Sequence, residues 1–376
     1  MSINLSIHHL HTDQILIDMK KTLLTVAAGL LGVTMTQAQP VEITITGATA
    51  FRANAYAGIR NMFDPGFSQN PTAGDPSLSN RVTWTGTMAE FGARPVTVKA
   101  SYSGSAAGVQ SLTANANVTF LSSSTPGSFT TVNQTADFAF SDVFQSSTAF
   151  LSPSLADNTA GVIPFVWVRG STASTSLTNI TAQNARGTFN LGYFPLFVLT
   201  GNPADAVGGE IVNVVGRNSG SGTRAATLSE IGLGALATIL QRRTNGMGGW
   251  VDDAVGQSSS STIPGLLNSG ANTSGEGPGG AISYLDLNDA ATVVAGGGSI
   301  LQYDGVTFSK DAVRYGKYAL WTYEHLYNRT PLAADETTFR AGLLSQINTD
   351  LATSPSAIQV STMIVSRLAD GATITP

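Results

Sequence analysis

Glu210-Ile-Val-Asn-Val-Val-Gly-Arg-Asn-Ser-Gly-Ser-Gly-Thr-Arg224 is the stretch on which the fold turns. Its β-branched opening, 210–215, predicts a strand. The glycines and serines that follow predict a tight turn, and helical sequence resumes at Ala225. Strand, small-residue turn and helix in that order leave the first backbone N–H groups of the helix without partners, at the positive end of its dipole. An anion is favoured there. Glycine at 222 lets the backbone come close to a ligand. Ser221 and Thr223 add hydroxyl donors, and the planar fork of Arg217 matches two oxygens of an oxyanion. The same residues would also serve as an ordinary helix cap beside a solvated arginine, and the segment alone does not separate the two. It is not a Walker A loop, because the GxxxxGK[ST] spacing and its lysine are missing.

Working outward, the pattern recurs. Val41-Glu-Ile-Thr-Ile-Thr46 alternates as a strand does; Gly47-Ala-Thr-Ala50 follows, then helical sequence from Phe51 to Phe63 with Phe51, Ala55, Ile59 and Met62 on one face. Pro95–Ala100 predicts a second strand, and the turn Ser103–Gly108 leads into a helix at Val109. Ala136–Phe140 predicts a third strand, ending in Ser141-Asp142. Val162–Val168 is a near-continuous apolar run, the mark of a buried strand. Thr181 is placed to cap a helix over 182–188, and Ala281–Leu285 predicts another strand. Residues 317–327 are apolar and aromatic, and 335–351 and 356–368 read as terminal helices. Residues 64–91 read as a surface excursion, 117–133 as a polar loop or hairpin, and 244–281 as long loops. Strands alternating with helices imply an α/β fold with largely parallel sheets, and ligands in such sheets bind beyond the carboxyl ends of the strands. Asp142 falls at one of those ends. Beside an anion it would repel, unless the anion carries a proton for it to accept: hydrogen phosphate does, sulfate does not. A solvated turn aspartate is the plain alternative.

Composition narrows the function. The chain has 376 residues and a net charge of −5, with 42% hydrophobic and only 11% charged residues, and 40 glycines. There is no basic excess to neutralise phosphates, which argues against a nucleic-acid partner. Cysteine is absent, so there is no disulfide, thiolate metal site or cysteine nucleophile. The histidines are His8, His9, His11 and His325. The first three lie ahead of Met19, where Lys20-Lys21, an apolar run over 22–33 and the small residues Thr36 and Ala38 have the order of a secretory signal peptide. Cleavage after Ala38 would leave one histidine, too few for a multi-histidine zinc site, and no G-x-S-x-G elbow is present. No later stretch reaches the length of a membrane span. Residues 1–18 read as an extension ahead of the true start at Met19.

Taken in order, the turns resemble the phosphate-binding proteins of bacterial ABC phosphate importers. Gly47-Ala-Thr-Ala50 is similar to their G-A-T-F turn, Gly104-Ser-Ala-Ala-Gly-Val109 to G-S-S-G-G-V, Asp137-Phe-Ala-Phe-Ser-Asp142 to D-F-G-A-S-D, and Arg217-Asn-Ser-Gly-Ser-Gly-Thr223 to R-x-D-G-S-G-T. Gly280-Ala-Ile-Ser-Tyr284 is similar to their G-A-I-G-Y strand and Gly316-Lys-Tyr-Ala-Leu-Trp to G-x-Y-P-L. The chain departs at Ser219, where the family has an acid, and at Ala50, where it has Phe; the excursions at 64–91 and 117–133 are long for importer proteins. The resemblance implies a two-lobed type II periplasmic-binding-protein fold, α/β throughout, with the ligand in the cleft between lobes. It implies donation to the oxyanion by Thr49, the Ala50 N–H, Ser105, Arg217, Ser221, Gly222 and Thr223, and acceptance of the ligand's proton by Asp142.

These readings give three expectations. Residues 1–38 are extension plus signal peptide, 39–165 with 300–376 form lobe one, and 166–299 form lobe two. The protein is a periplasmic or secreted non-enzyme, without cofactor, metal or nucleic acid, that binds phosphate or a similar tetrahedral oxyanion for ABC import, with an ABC permease as partner. The rivals are an exported surface or matrix protein that reuses the fold with weak or no ligand binding, and a secreted hydrolase, which would have to use His325 as its base.

Overall fold

Val41–Gly47 forms strand β1 at the middle of the main sheet, with every residue but Glu42 buried. The computed structural model describes residues 39–72, 79–246, 249–269 and 280–376; the expected signal peptide lies outside them. Helix α1 (Arg52–Met62) follows β1 and buries the face that carries Ala55, Ile59 and Met62, while Phe51 sits at its N-cap, itself buried. Strands β2 (Ser68–Asn70), β3 (Arg81–Met88) and β4 (Gly92–Tyr102) come next, then helix α2 (Ser105–Thr113) and strand β5 (Phe138–Ser141). Strand β6 (Thr159–Arg169) leads to helix α3 (Ala182–Leu191), strands β7 (Tyr193–Pro195) and β8 (Ile211–Val214), and helix α4 (Gly222–Glu230). Strand β9 (Ala281–Asp286), helix α5 (Leu287–Ala295), strands β10 (Ser299–Ile300) and β11 (Trp321–Asn328), and helix α6 (Ala334–Asp350) complete the frame.

Eleven strands join in the order β7-β8-β9-β6-β11-β5-β1-β4-β3-β2, with β10 paired to β6. Only β1–β4, β1–β5 and β8–β9 run parallel. The expectation of largely parallel sheets is therefore corrected to a mixed sheet. Two strands make it so: β3 reaches β4 through a tight turn that ends at Gly92, φ 61°, and β11 enters antiparallel between β5 and β6. β6 serves both halves of the sheet: Thr159–Pro164 pair with β11, and Phe165–Arg169 with β9. One apolar cluster runs across both halves, from Ile43 and Trp84 to Trp167 and Tyr284.

Two other expectations change. The 64–91 excursion contains β2 and β3, which extend the sheet and bury Val82, Trp84 and Met88. Those residues alternate, so the period-two signal was present among the glycines and prolines around it. Residues 356–368 are not a helix; beyond one 3-10 turn at Val360–Thr362 they run irregularly. Their backbone is satisfied from outside instead: Ile358 exchanges hydrogen bonds with Val162, and Lys310 Nζ donates to the Ala357 carbonyl at 2.9 Å. The 117–133 segment is a hairpin, Asn117–Leu121 against Thr131–Thr135. Within 244–281, the described residues include a strand at Trp250–Asp252 and a helix at Ile263–Asn268. Among the described residues no helix is long and apolar enough to cross a membrane.

Candidate functional site

Four strand ends and three helix starts meet at one place. β1 ends at Gly47, where φ is +115° and an added Cβ would overlap the Phe140 carbonyl, so β1 and β5 approach as only glycine allows. Ala48 N–H donates to the Phe140 carbonyl at 2.8 Å, and Gly104 N–H to the Gly47 carbonyl at 2.8 Å. The β4–α2 turn then meets the β8–α4 turn: Ala106 N–H donates to the Gly220 carbonyl at 3.2 Å. Gly104, at φ +118°, leaves no room for a Cβ beside that same carbonyl. The starts of α1, α2 and α4 are thus gathered around the end of β5, and their dipoles add positive potential there.

Asp142 follows β5 and is fully buried. Ser105 Oγ donates to its Oδ1 and Thr223 Oγ1 donates to its Oδ2, the latter at 3.2 Å. Burial pushes its carboxyl up from the ordinary aspartate range; Ser105, Arg217 and Thr223 pull the other way. Gly222 packs against this group so closely that a Cβ would overlap Asp142 Oδ1 and Ser105 Oγ. The glycine that the sequence offers for ligand approach is required first by the carboxylate.

Arg217 is also fully buried. Its N–H donates to Tyr284 Oη at 3.1 Å, Nε to the Gln257 carbonyl at 3.2 Å, and Nη2 to the Ser258 carbonyl at 3.2 Å and Thr49 Oγ1 at 3.5 Å. Nη1 is buried with no hydrogen-bond partner. Burial lowers its pKa, and the charges of Asp142, Asp286 and Asp289 are among those that oppose this. Ser219 takes the place of the acid in the R-x-D pattern, and carbonyl oxygens from 257–258 hold the guanidinium instead. Carbonyls orient the fork and leave its positive charge uncancelled.

Of the sequence-predicted residues, Asp142, Ser105, Thr223 and Gly222 form one contact group. Arg217 and Thr49 form a second, within electrostatic reach of Asp142. Ser221 Oγ accepts from the Arg224 N–H at 3.2 Å, so its hydroxyl caps α4. Ala50 is buried in the turn before α1. Sequence reasoning assigned no role to Tyr284, Gln257 and Ser258 as the supports of Arg217. Tyr284 stood in the quoted Gly280–Tyr284 motif; nothing marked the two carbonyls, since any residue supplies one. Glu324, in β11 one residue before the partner of Ser141, was also missed. It is fully buried, and neither carboxylate oxygen has a hydrogen-bond partner. His325, the base a hydrolase would need, holds Asp157 Oδ1 through Nδ1 at 2.8 Å, and its buried Nε2 meets no hydroxyl. Among the described residues no group of three or more His, Asp or Glu is placed to hold a metal ion.

No family model and no curated protein matches the chain. Solved structures do. A Clostridium perfringens protein assigned as a phosphate ABC transporter substrate-binding protein, with phosphate bound, superposes at a TM-score of 0.53 and 14% identity, over 85% of this chain and 99% of its own. An ABC-type phosphate transport receptor from Vibrio cholerae matches at a TM-score of 0.46 and 17% identity, over 84% of this chain and 99% of its own. The chain has the α/β fold of type II periplasmic binding proteins.

Proposed function

We propose that this protein is a solute-binding protein whose ligand is phosphate or a similar tetrahedral oxyanion, taken up between two lobes, 39–165 with 300–376 and 166–299. One observation carries the reading: a buried guanidinium with an unpartnered Nη1 stands beside three helix starts and a hydroxyl-bonded carboxylate. The arrangement supplies donors to an anion and one acceptor for a proton. Arg217 balances the ligand's charge; the helix N–H groups and Thr49 donate; Ser105 and Thr223 give their hydroxyl protons to Asp142 and hold it in place, and Asp142 accepts from the ligand. Charge-assisted donors in a desolvated cleft reach a dissociation constant of roughly 1 μM with about −8 kcal/mol. The reading is that of a binder, and the engagement of His325 Nδ1 with Asp157 supports it over a hydrolase.

The leader-like sequence at 19–38 supports a periplasmic or secreted location, and the fold supports delivery to an ABC permease. Calorimetric titration of dialysed protein with phosphate and sulfate tests the reading. Saturable phosphate binding with sulfate disfavoured is expected. Absence of binding to either anion would favour the surface-protein rival.

A further inference from the structure

A cavity of about 490 Å³ opens beside this site, and the two parts of the chain with no role so far build much of its wall. It is lined by Thr49 and Ser258, the two residues that receive Arg217 Nη2. From there it extends past Ser101 and Ser103 at the end of β4 to Asn80, ahead of β3, and to Phe129, in the loop of the 117–135 hairpin. The hairpin is pinned in place. Asn70 Nδ2 donates to the carbonyls of Ser128 at 2.6 Å and Ser123 at 3.1 Å, and Thr83 Oγ1 donates to the Leu121 carbonyl at 2.8 Å. Phe129 is therefore held at the cavity while 81% exposed, an arrangement that leaves a large aromatic face in water.

An inorganic oxyanion needs none of this space. A volume of this size accommodates an organic ligand of several carbons. The lining chemistry selects among such ligands. It is mainly hydroxyls and amides, with Arg81 as its one charged member among the described residues. Neutral donors and acceptors suit hydroxyl groups on the ligand, and an aromatic face suits the C–H face of a carbon skeleton.

We propose that the ligand is a phosphate monoester of a hydroxylated carbon skeleton, of the sugar-phosphate or glycerol-phosphate class, with its phosphoryl group at Arg217 and its carbon portion in this cavity. The proposal rests on the oxyanion reading above. Thr49 and Ser258 mark the junction, since each touches the guanidinium on one side and the cavity on the other. The excursions at 64–91 and 117–133 then have a purpose: they wall a second compartment that inorganic phosphate would leave empty.

The test is calorimetry on the dialysed full chain with inorganic phosphate, glycerol 3-phosphate and glucose 6-phosphate. At least one ester is expected to bind about tenfold or more tighter than inorganic phosphate. Ser259→Trp places an indole in the cavity from a loop position and is expected to abolish that advantage, with inorganic phosphate kept within about twofold. Phe129→Ala, at an exposed site that does not threaten folding, is expected to weaken the ester about three- to tenfold and leave inorganic phosphate unchanged. Inorganic phosphate bound as tightly as both esters, or ester affinity untouched by Ser259→Trp, overturns the ester assignment and leaves the oxyanion reading standing. Failure of all three ligands to bind overturns both.

Discussion

Asp142 and Glu324 are carboxyl groups buried in the same half of one sheet, and they live under opposite conditions. Asp142, at the end of β5, holds two hydroxyls and faces Arg217. Glu324, inside β11, lies opposite Gly161 of β6, whose empty Cβ position faces Leu351 and Phe51. Its oxygens have no partner, and the buried hydroxyl of Tyr102, within its electrostatic reach, has none either. Burial, then the charge of Asp142, pushes Glu324 well above the usual glutamate range. Strand ends meet helix starts and collect donors; strand interiors have spent their backbone groups on neighbours and offer a carboxylate nothing. Asp142 thus has donors around it, whereas burial and the charge of Asp142 push Glu324 toward its neutral form.

The sharpest way to break this contrast is to remove the cation from one side of it. Arg217→Ala is expected to lower phosphate affinity by a factor of about a hundred or more, because the buried anion loses its charged partner. Unchanged affinity in calorimetry would detach Arg217 from the ligand. Gly222→Ala tests the carboxylate's seat: its Cβ must displace Asp142 or Ser105, so affinity is expected to fall about tenfold or more while the far-UV spectrum is retained.

Asp142→Asn sharpens the contrast by changing charge without shape. The amide can donate to a fully ionised oxygen, so phosphate affinity is expected to fall less than the phosphate-to-sulfate ratio does. Acid does the same to the native protein. The folded pKa of Asp142 is raised, and below it the group carries its own proton, so the preference for phosphate is expected to narrow as pH falls through that value. Competition titrations across acidic pH read both effects, and an unchanged ratio in each would end the proton-acceptor role. The smallest effect is expected at Glu324. Its native state holds a proton over the window between the ordinary glutamate pKa of 4.5 and its own raised value, so stability falls as pH rises through that window. Glu324→Gln is expected to flatten this fall and to raise the melting temperature at pH 8 by a few degrees, about the effect of ~1 kcal/mol. A melting temperature that drops at pH 8 would show the carboxylate to be needed there.

The sequence was legible where one segment carries its own signal. Gly47–Ala50, Ser103–Gly108, Ser141-Asp142 and Gly216–Thr223 each follow a strand, and those strands and their helices are present within a few residues of their expected bounds. Ser221 is an N-cap as the capping preference for serine requires. What could not be read depends on partners distant in the chain. The direction of β11 between β5 and β6 follows from long-range packing, which no local pattern encodes. The carbonyls of Gln257 and Ser258 belong to the backbone, and residue type does not announce them. β3 was obscured because Arg81–Met88 lies amid proline, glycine and asparagine, which outweighed its alternation. At 356–368 the expected helix is absent, because hydrogen bonds to β6 and Lys310 satisfy the backbone from outside.

The place of β11 also governs when the protein can fold. Residues 321–328 lie at the sheet's centre, between β5 and β6, although they follow both strands in the chain by a long stretch of sequence. Until they are in place, β5 and β6 each present an open edge, and the two halves of the sheet lack the strand that joins them. Contacts so far apart in sequence close slowly.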